Sequence, residues 1–149
     1  MTLNDLIIDI YGGDNMQKNS LKPSSLAIIA SLLAFSPFSL ADDKPYTVTD
    51  GQALDSATFN GYKLYRNWCA RCHGSYAQGM VGPNLADSLN VISKDEFIAS
   101  VTHGKMGQIG MMPAWESNPQ VMEGMDQIYA YLKARADGAI GEVKPSKAK

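Results

Sequence analysis

Five consecutive residues, Cys69-Ala70-Arg71-Cys72-His73, constrain this chain more than any other part of it. They hold its only two cysteines, and one of its two histidines follows directly. C-x-x-C-H is the attachment spacing of a c-type haem. Two thiols three residues apart at a helix end can each add across a haem vinyl group to form a thioether. The adjacent imidazole then lies under the iron as proximal ligand, and the rest of the chain has to cover the haem and supply a sixth ligand. Other uses of two cysteines are a disulfide, a thioredoxin-like redox pair or half a zinc site. The redox pair calls for a βαβ context that the flanking residues do not offer. Cys69, Cys72, His73 and His103 would make a four-ligand zinc set. Zinc sites, however, usually separate such ligands by loops, and His103 has no partner at H-x(3–5)-H spacing.

The N-terminal region fits an exported protein. Residues 1–15 carry Asp5, Asp9 and Asp14 and no basic residue, and are expected to be a mis-assigned extension. Residues 16–41 read as a secretory signal peptide: Lys18 and Lys22, an apolar run from Leu26 to Phe38, then Ser39-Leu40-Ala41 as a cleavage site. The run is shorter than the roughly 20 residues a membrane span needs and is broken by Ser31, Ser36 and Pro37, so no membrane anchor is expected after cleavage. Haem is attached to c-type proteins outside the cytoplasm in bacteria, which makes the periplasm the expected location. The remaining chain is one small domain, residues 42–141, with a polar and mobile tail over 142–149. So short a chain has a marginal core, and a covalently held apolar cofactor serves it as a staple. Thirteen Lys and Arg against fifteen Asp and Glu give no basic face for nucleic acid.

The rest of the pattern is helical, with no strand expected. Residues 42–54 read as an irregular arm, and Asp55 or Ser56 caps a helix running from about Ala57 to the motif. Phe59, Tyr62, Tyr65 and Cys69 give it one apolar face, with Gly61 inside it. A loop over 74–82 leads into Gly82-Pro83-Asn84-Leu85. Ser93-x-x-Glu96 is a capping box for a helix through Phe97, Ile98 and Val101, ended by Gly104. The stretch 105–117 is irregular and carries Met106, Met111 and Met112. Asn118-Pro119 starts the last helix, whose core stripe is Val121, Met125, Ile128, Tyr129 and Leu132 and which Gly138 closes. Lys133 and Arg135 near its end complement the helix dipole, and Met122 and Met125 read as core or surface, not as ligands.

These residues together resemble a class I cytochrome c: the motif near the start of the domain, the downstream Met112-Pro113, and Gly61 and Tyr65 eight and four residues before Cys69. The resemblance implies an all-α cytochrome c fold around one covalent haem c, with the first and last helices crossed and Tyr129 and Leu132 as partners of Gly61 and Tyr65. It implies that the Pro83 carbonyl accepts the Nδ1 proton of His73. Cys69, Cys72, His73, Pro83, Leu85, Met112 and Trp115 are then the expected cofactor-binding residues. His73 and Met112 are the expected iron ligands, Met112 being favoured over its neighbour Met111 because it directly precedes the proline. Met112-Pro113-Ala114-Trp115 and the segment 126–138 are similar to cytochromes that take electrons from PQQ-dependent alcohol dehydrogenases. That likeness implies a quinoprotein dehydrogenase as donor and a terminal oxidase or another cytochrome as acceptor.

The expected role is therefore a periplasmic electron carrier cycling Fe(III) and Fe(II), not an enzyme. The competing classes are a haem-based small-ligand sensor or peroxidase-like protein, and a generic carrier with another donor. A sensor or peroxidase needs a distal polar group, for which His103 is the candidate; its place before Gly104 marks it instead as an ordinary histidine at a helix end.

Overall fold

The computed structural model describes residues 43–107 and 110–149; the expected extension and signal peptide lie outside these residues. The chain runs β1 (Val48–Thr49), β2 (Ala53–Leu54), α1 (Ser56–Trp68), α2 (Ala70–His73), α3 (Leu85–Ser88), α4 (Lys94–His103), β3 (Lys105–Met106), β4 (Met111–Met112), α5 (Pro119–Glu123), α6 (Met125–Ala136) and β5 (Ser146–Lys147). It is mainly helical, as expected. No helix among the described residues is long and apolar enough to cross a membrane.

The helix starts follow from local chemistry. The Asp55 carboxylate accepts from the amides of Ala57 and Thr58 and from the Thr58 hydroxyl, satisfying donors that the first turn leaves open. Ser93 accepts from Glu96 N, and Asn118 accepts from Val121 N with Pro119 at the first helical position. Only one half of the expected capping box is made, because the Glu96 carboxylate pairs with Lys105 instead. The last helix is also not continuous: it breaks at Gly124 into α5 and α6.

The absence of strands does not hold. Val48 and Thr49 pair antiparallel with Leu54 and Ala53, and β5 adds parallel to β2, joining Ala53 with Ser146 and Leu54 with Lys147. The arm and the tail that read as irregular and mobile thus bind each other. Ser146 N and Ala148 N donate to Gln52 O and Leu54 O, at 3.2 and 2.8 Å. Two-residue strands have too little alternation to be visible in a sequence. A second pair, β3 with β4, forms in the methionine-rich segment.

α1 and α6 cross at the centre of the core. At Gly61 the approach is so close that an added Cβ would lie 1.8 Å from the Gln127 carbonyl oxygen and 2.9 Å from Ile128 N. The partners are therefore Gln127 and Ile128 for Gly61, and Tyr131 for Tyr65 (ring centroids 5.3 Å apart), in place of the expected Tyr129. Tyr129 turns to Phe97 of α4, 5.5 Å away, while Leu132 is buried in the core. Arg135 is corrected as well. It is only 9% exposed, and its guanidinium donates to Tyr76 O at 2.7 Å and Ile140 O at 2.6 Å. Its part in the helix dipole is secondary to that clamp.

Any side chain at residue 61 must push the two backbones apart. Gly61→Ala should cost about 1–3 kcal/mol and Gly61→Val at least as much. Gly141→Ala, where nothing lies within 4 Å of the added carbon, should leave the midpoint unchanged. Urea melts of the three variants and the unaltered protein check this.

Candidate haem site

The motif follows directly on α1. Cys69 sits between α1 and α2 with φ −112° and ψ −33°, and the amides of Cys72 and His73 both donate to its carbonyl, at 3.1 and 3.0 Å. The chain thus keeps a helical course through the five residues, which brings both thiols and the imidazole to successive positions of one turn. Both cysteines are unpaired; Cys69 is half-buried and Cys72 exposed. Burial pushes the Cys69 thiol up to about 12, with the neighbouring Cys72 adding to the shift. Among the described residues no three His, Cys, Asp or Glu side chains cluster, so His103 does not complete a zinc set.

His73 is 7% exposed, and its Nδ1 lies 2.9 Å from Pro83 O. A carbonyl only accepts, so Nδ1 carries the proton and Nε2 keeps its lone pair for a metal. The ring rests on Gly82: a Cβ there would meet Cε1 at 2.8 Å and Nδ1 at 2.9 Å. The loop between is held from within by Gly79 N on His73 O and by Val81 N and Gly82 N on Cys72 O. It is held from outside by two residues that sequence reasoning did not assign to it. The Tyr65 hydroxyl donates to Gly74 O, and Arg135 donates to Tyr76 O. Neither could be found from the sequence, because a tyrosine on an apolar stripe and an arginine near a helix end have ordinary explanations there.

In the methionine segment, β3 and β4 place Lys105 opposite Met112 and Met106 opposite Met111. Successive side chains of a strand point to opposite faces. Met106 and Met111 accordingly share the outer face, at 75% and 69% exposure, while Met112 is half-buried against the core. After Met112 the chain is tied back to α4, with Trp115 N donating to Val101 O at 3.0 Å. The Trp115 ring meets Trp68, the residue before Cys69, edge-to-face at 5.7 Å. This pair joins the methionine segment to the attachment segment.

The other expected residues are placed as follows. Pro83 is exposed but turns its carbonyl to His73, and Leu85 opens α3, half-buried against the core. His103 is exposed at the end of α4, 3.9 Å from Glu116. Met80 is an exposed loop residue and Met125 is buried in the core, so neither competes as a ligand. The groups suit a haem: two free thiols for its vinyl groups, an imidazole with Nε2 available for iron and a half-buried thioether as a soft donor. The Tyr131 hydroxyl is buried with no partner among the described residues. Such a group calls for a water or for an acceptor on a bound molecule.

Residues 56–132 match the family model described as "Cytochrome C oxidase, cbb3-type, subunit III". Cytochrome c-555 of Methylococcus capsulatus is 42% identical, over 58% of this chain and 69% of that protein. Cytochrome c-553I of Paracoccus denitrificans is 34% identical, over 72% of this chain but half of that protein's length. Among solved structures, the c-type cytochrome XoxG of Methylobacterium extorquens AM1 superposes with a TM-score of 0.65 at 36% identity, over 70% of this chain and 66% of that one.

A methyl group beneath the His73 ring should displace it from Pro83. Gly82→Ala is expected to cost about 1–3 kcal/mol by overpacking. It should also raise the reduction potential, because an imidazole that loses its Nδ1–H···O bond is a weaker donor to ferric iron. Spectroelectrochemical titration against the unaltered protein measures the change.

Proposed function

Because the chain belongs to the c-type cytochromes and binds one covalent haem c, we propose that it is a periplasmic electron carrier with His73 and Met112 as axial ligands and a quinoprotein alcohol dehydrogenase as donor. The observation that carries the ligand assignment is the pairing of the β3–β4 hairpin, which turns Met112 inward and Met111 outward. The bound haem supplies a one-electron couple between ferric and ferrous iron. Cys69 and Cys72 would tether it by thioethers. His73 offers Nε2, held in tautomer and orientation by Pro83 O. The Met112 thioether is a soft donor that favours the reduced state and raises the potential. With His73 and Met112 both offered to the iron, the chain would leave no open position for a substrate, which fits an electron carrier better than an enzyme.

The donor reading rests on the likeness of residues 112–115 and 126–138 to cytochromes serving PQQ-dependent dehydrogenases. The acceptor is a terminal oxidase or another cytochrome. Export by the signal peptide over residues 16–41 delivers the protein to the compartment where such dehydrogenases work.

Intact-mass measurement of the periplasmic protein should give a chain starting at Asp42 plus one haem. Met112→Ala should abolish the sulfur-to-iron charge-transfer band of the ferric protein, lower the potential and open the ferrous iron to carbon monoxide. Met111→Ala should do none of these, and the reverse pattern would move the ligand to Met111. Carbon monoxide binding by the unaltered protein would favour a sensor instead. Stopped-flow mixing with a reduced quinoprotein alcohol dehydrogenase should reduce the cytochrome in a second-order phase; no reduction would remove that donor.

A further inference from the structure

The two sides of the site are built with different firmness. The proximal loop is fastened by backbone bonds inside it and by Tyr65 and Arg135 from two helices. The methionine segment lies on the protein more lightly. Among the described residues, its two strands hold two residues each, and Gly107 N donates to Gly110 O at 2.8 Å. Its outer face is solvent, as the exposure of Met106 and Met111 shows. Beyond Met112, the amides of Trp115 and Glu116 bond to Val101 O and Thr102 O, and Asn118 N bonds to Trp115 O at 2.8 Å. All these bonds tie the segment to α4 or to itself. The Trp115 ring reaches the attachment segment, meeting Trp68 at 5.7 Å and 65°. That geometry is the edge-to-face arrangement aromatic rings prefer.

Trp68 is an unusual residue to find there on packing grounds alone. It is 36% exposed at the last position of α1, so it contributes little to the core. What it touches is the loop that carries Met112, and it is bonded in sequence to Cys69. We propose that Trp68 and Trp115 form a latch that holds the Met112 segment closed, and that their separation is the step by which Met112 leaves the iron. Both are positioning residues: they act through the methionine. The inference rests on Met112 being the sixth ligand.

Ligand exchange reads the latch directly. Added imidazole displaces the thioether from ferric iron: one sulfur lone pair leaves and one nitrogen lone pair takes its place, with no electron gained or lost. Its apparent affinity is scaled by the fraction of protein whose loop is open. Trp68→Leu and Trp115→Leu should each raise imidazole affinity by roughly two- to twelve-fold, the range that one edge-to-face aromatic contact supports. Trp68→Phe, which keeps a ring, should restore much of the unaltered value. The double Leu variant should bind no more tightly than the stronger single variant, because each change breaks the same contact. Urea midpoints measured alongside identify a general loss of stability. Unaltered affinity in both single variants, or effects that simply multiply in the double variant, would overturn the latch while Met112→Ala still binds imidazole tightly. If Met112→Ala itself bound imidazole like the unaltered protein, the ligand assignment would fall, and the latch with it.

Discussion

The contact between Gly61 and the Gln127–Ile128 backbone is the constraint on which the rest depends. Two helices can approach to backbone contact only where one lacks a side chain, and this approach fixes where every other residue of α1 and α6 lies. It puts the Tyr65 ring on Tyr131, and the Tyr131 ring on Tyr62 as well. It also aims two polar groups, the Tyr65 hydroxyl from α1 and the Arg135 guanidinium from α6, at carbonyls of the same loop. That loop carries the carbonyl that holds His73. The helix crossing and the seat of His73 are therefore one mechanical unit.

An electron carrier gains from such a division. Rigidity around His73 holds the imidazole in one orientation, which limits reorganisation in a protein that passes electrons. Among the described residues, the methionine segment is paired by two-residue strands and meets the attachment segment through Trp68 and Trp115. The burial of Arg135 belongs to the firm half. A guanidinium at 9% exposure is stable there because two carbonyls accept from it and Glu142 lies 3.9 Å away.

Some of this was legible in the residues themselves. Asp55, Ser93 and Asn118 cap the helices that their chemistry announces, since capping depends on atoms two or three residues away. The His73 to Pro83 bond follows the family likeness and spans ten residues. Failures came where a partner was distant. The break at Gly124, the strands joining residues 53–54 to 146–147 and the burial of Arg135 all depend on neighbours that no local pattern announces.

The sequence by itself determined the chemistry: a thiol pair and an imidazole at the spacing that takes a haem, thioethers downstream, and a glycine where two helices must touch. It did so because covalent attachment and capping are short-range matters, settled within a few bonds. Only the tertiary structure decided which methionine faces inward, which residues of α6 meet Gly61, and that Trp68 reaches across to Trp115. Those outcomes depend on strand pairing and helix rotation, where a shift of one residue exchanges the buried face for the exposed one.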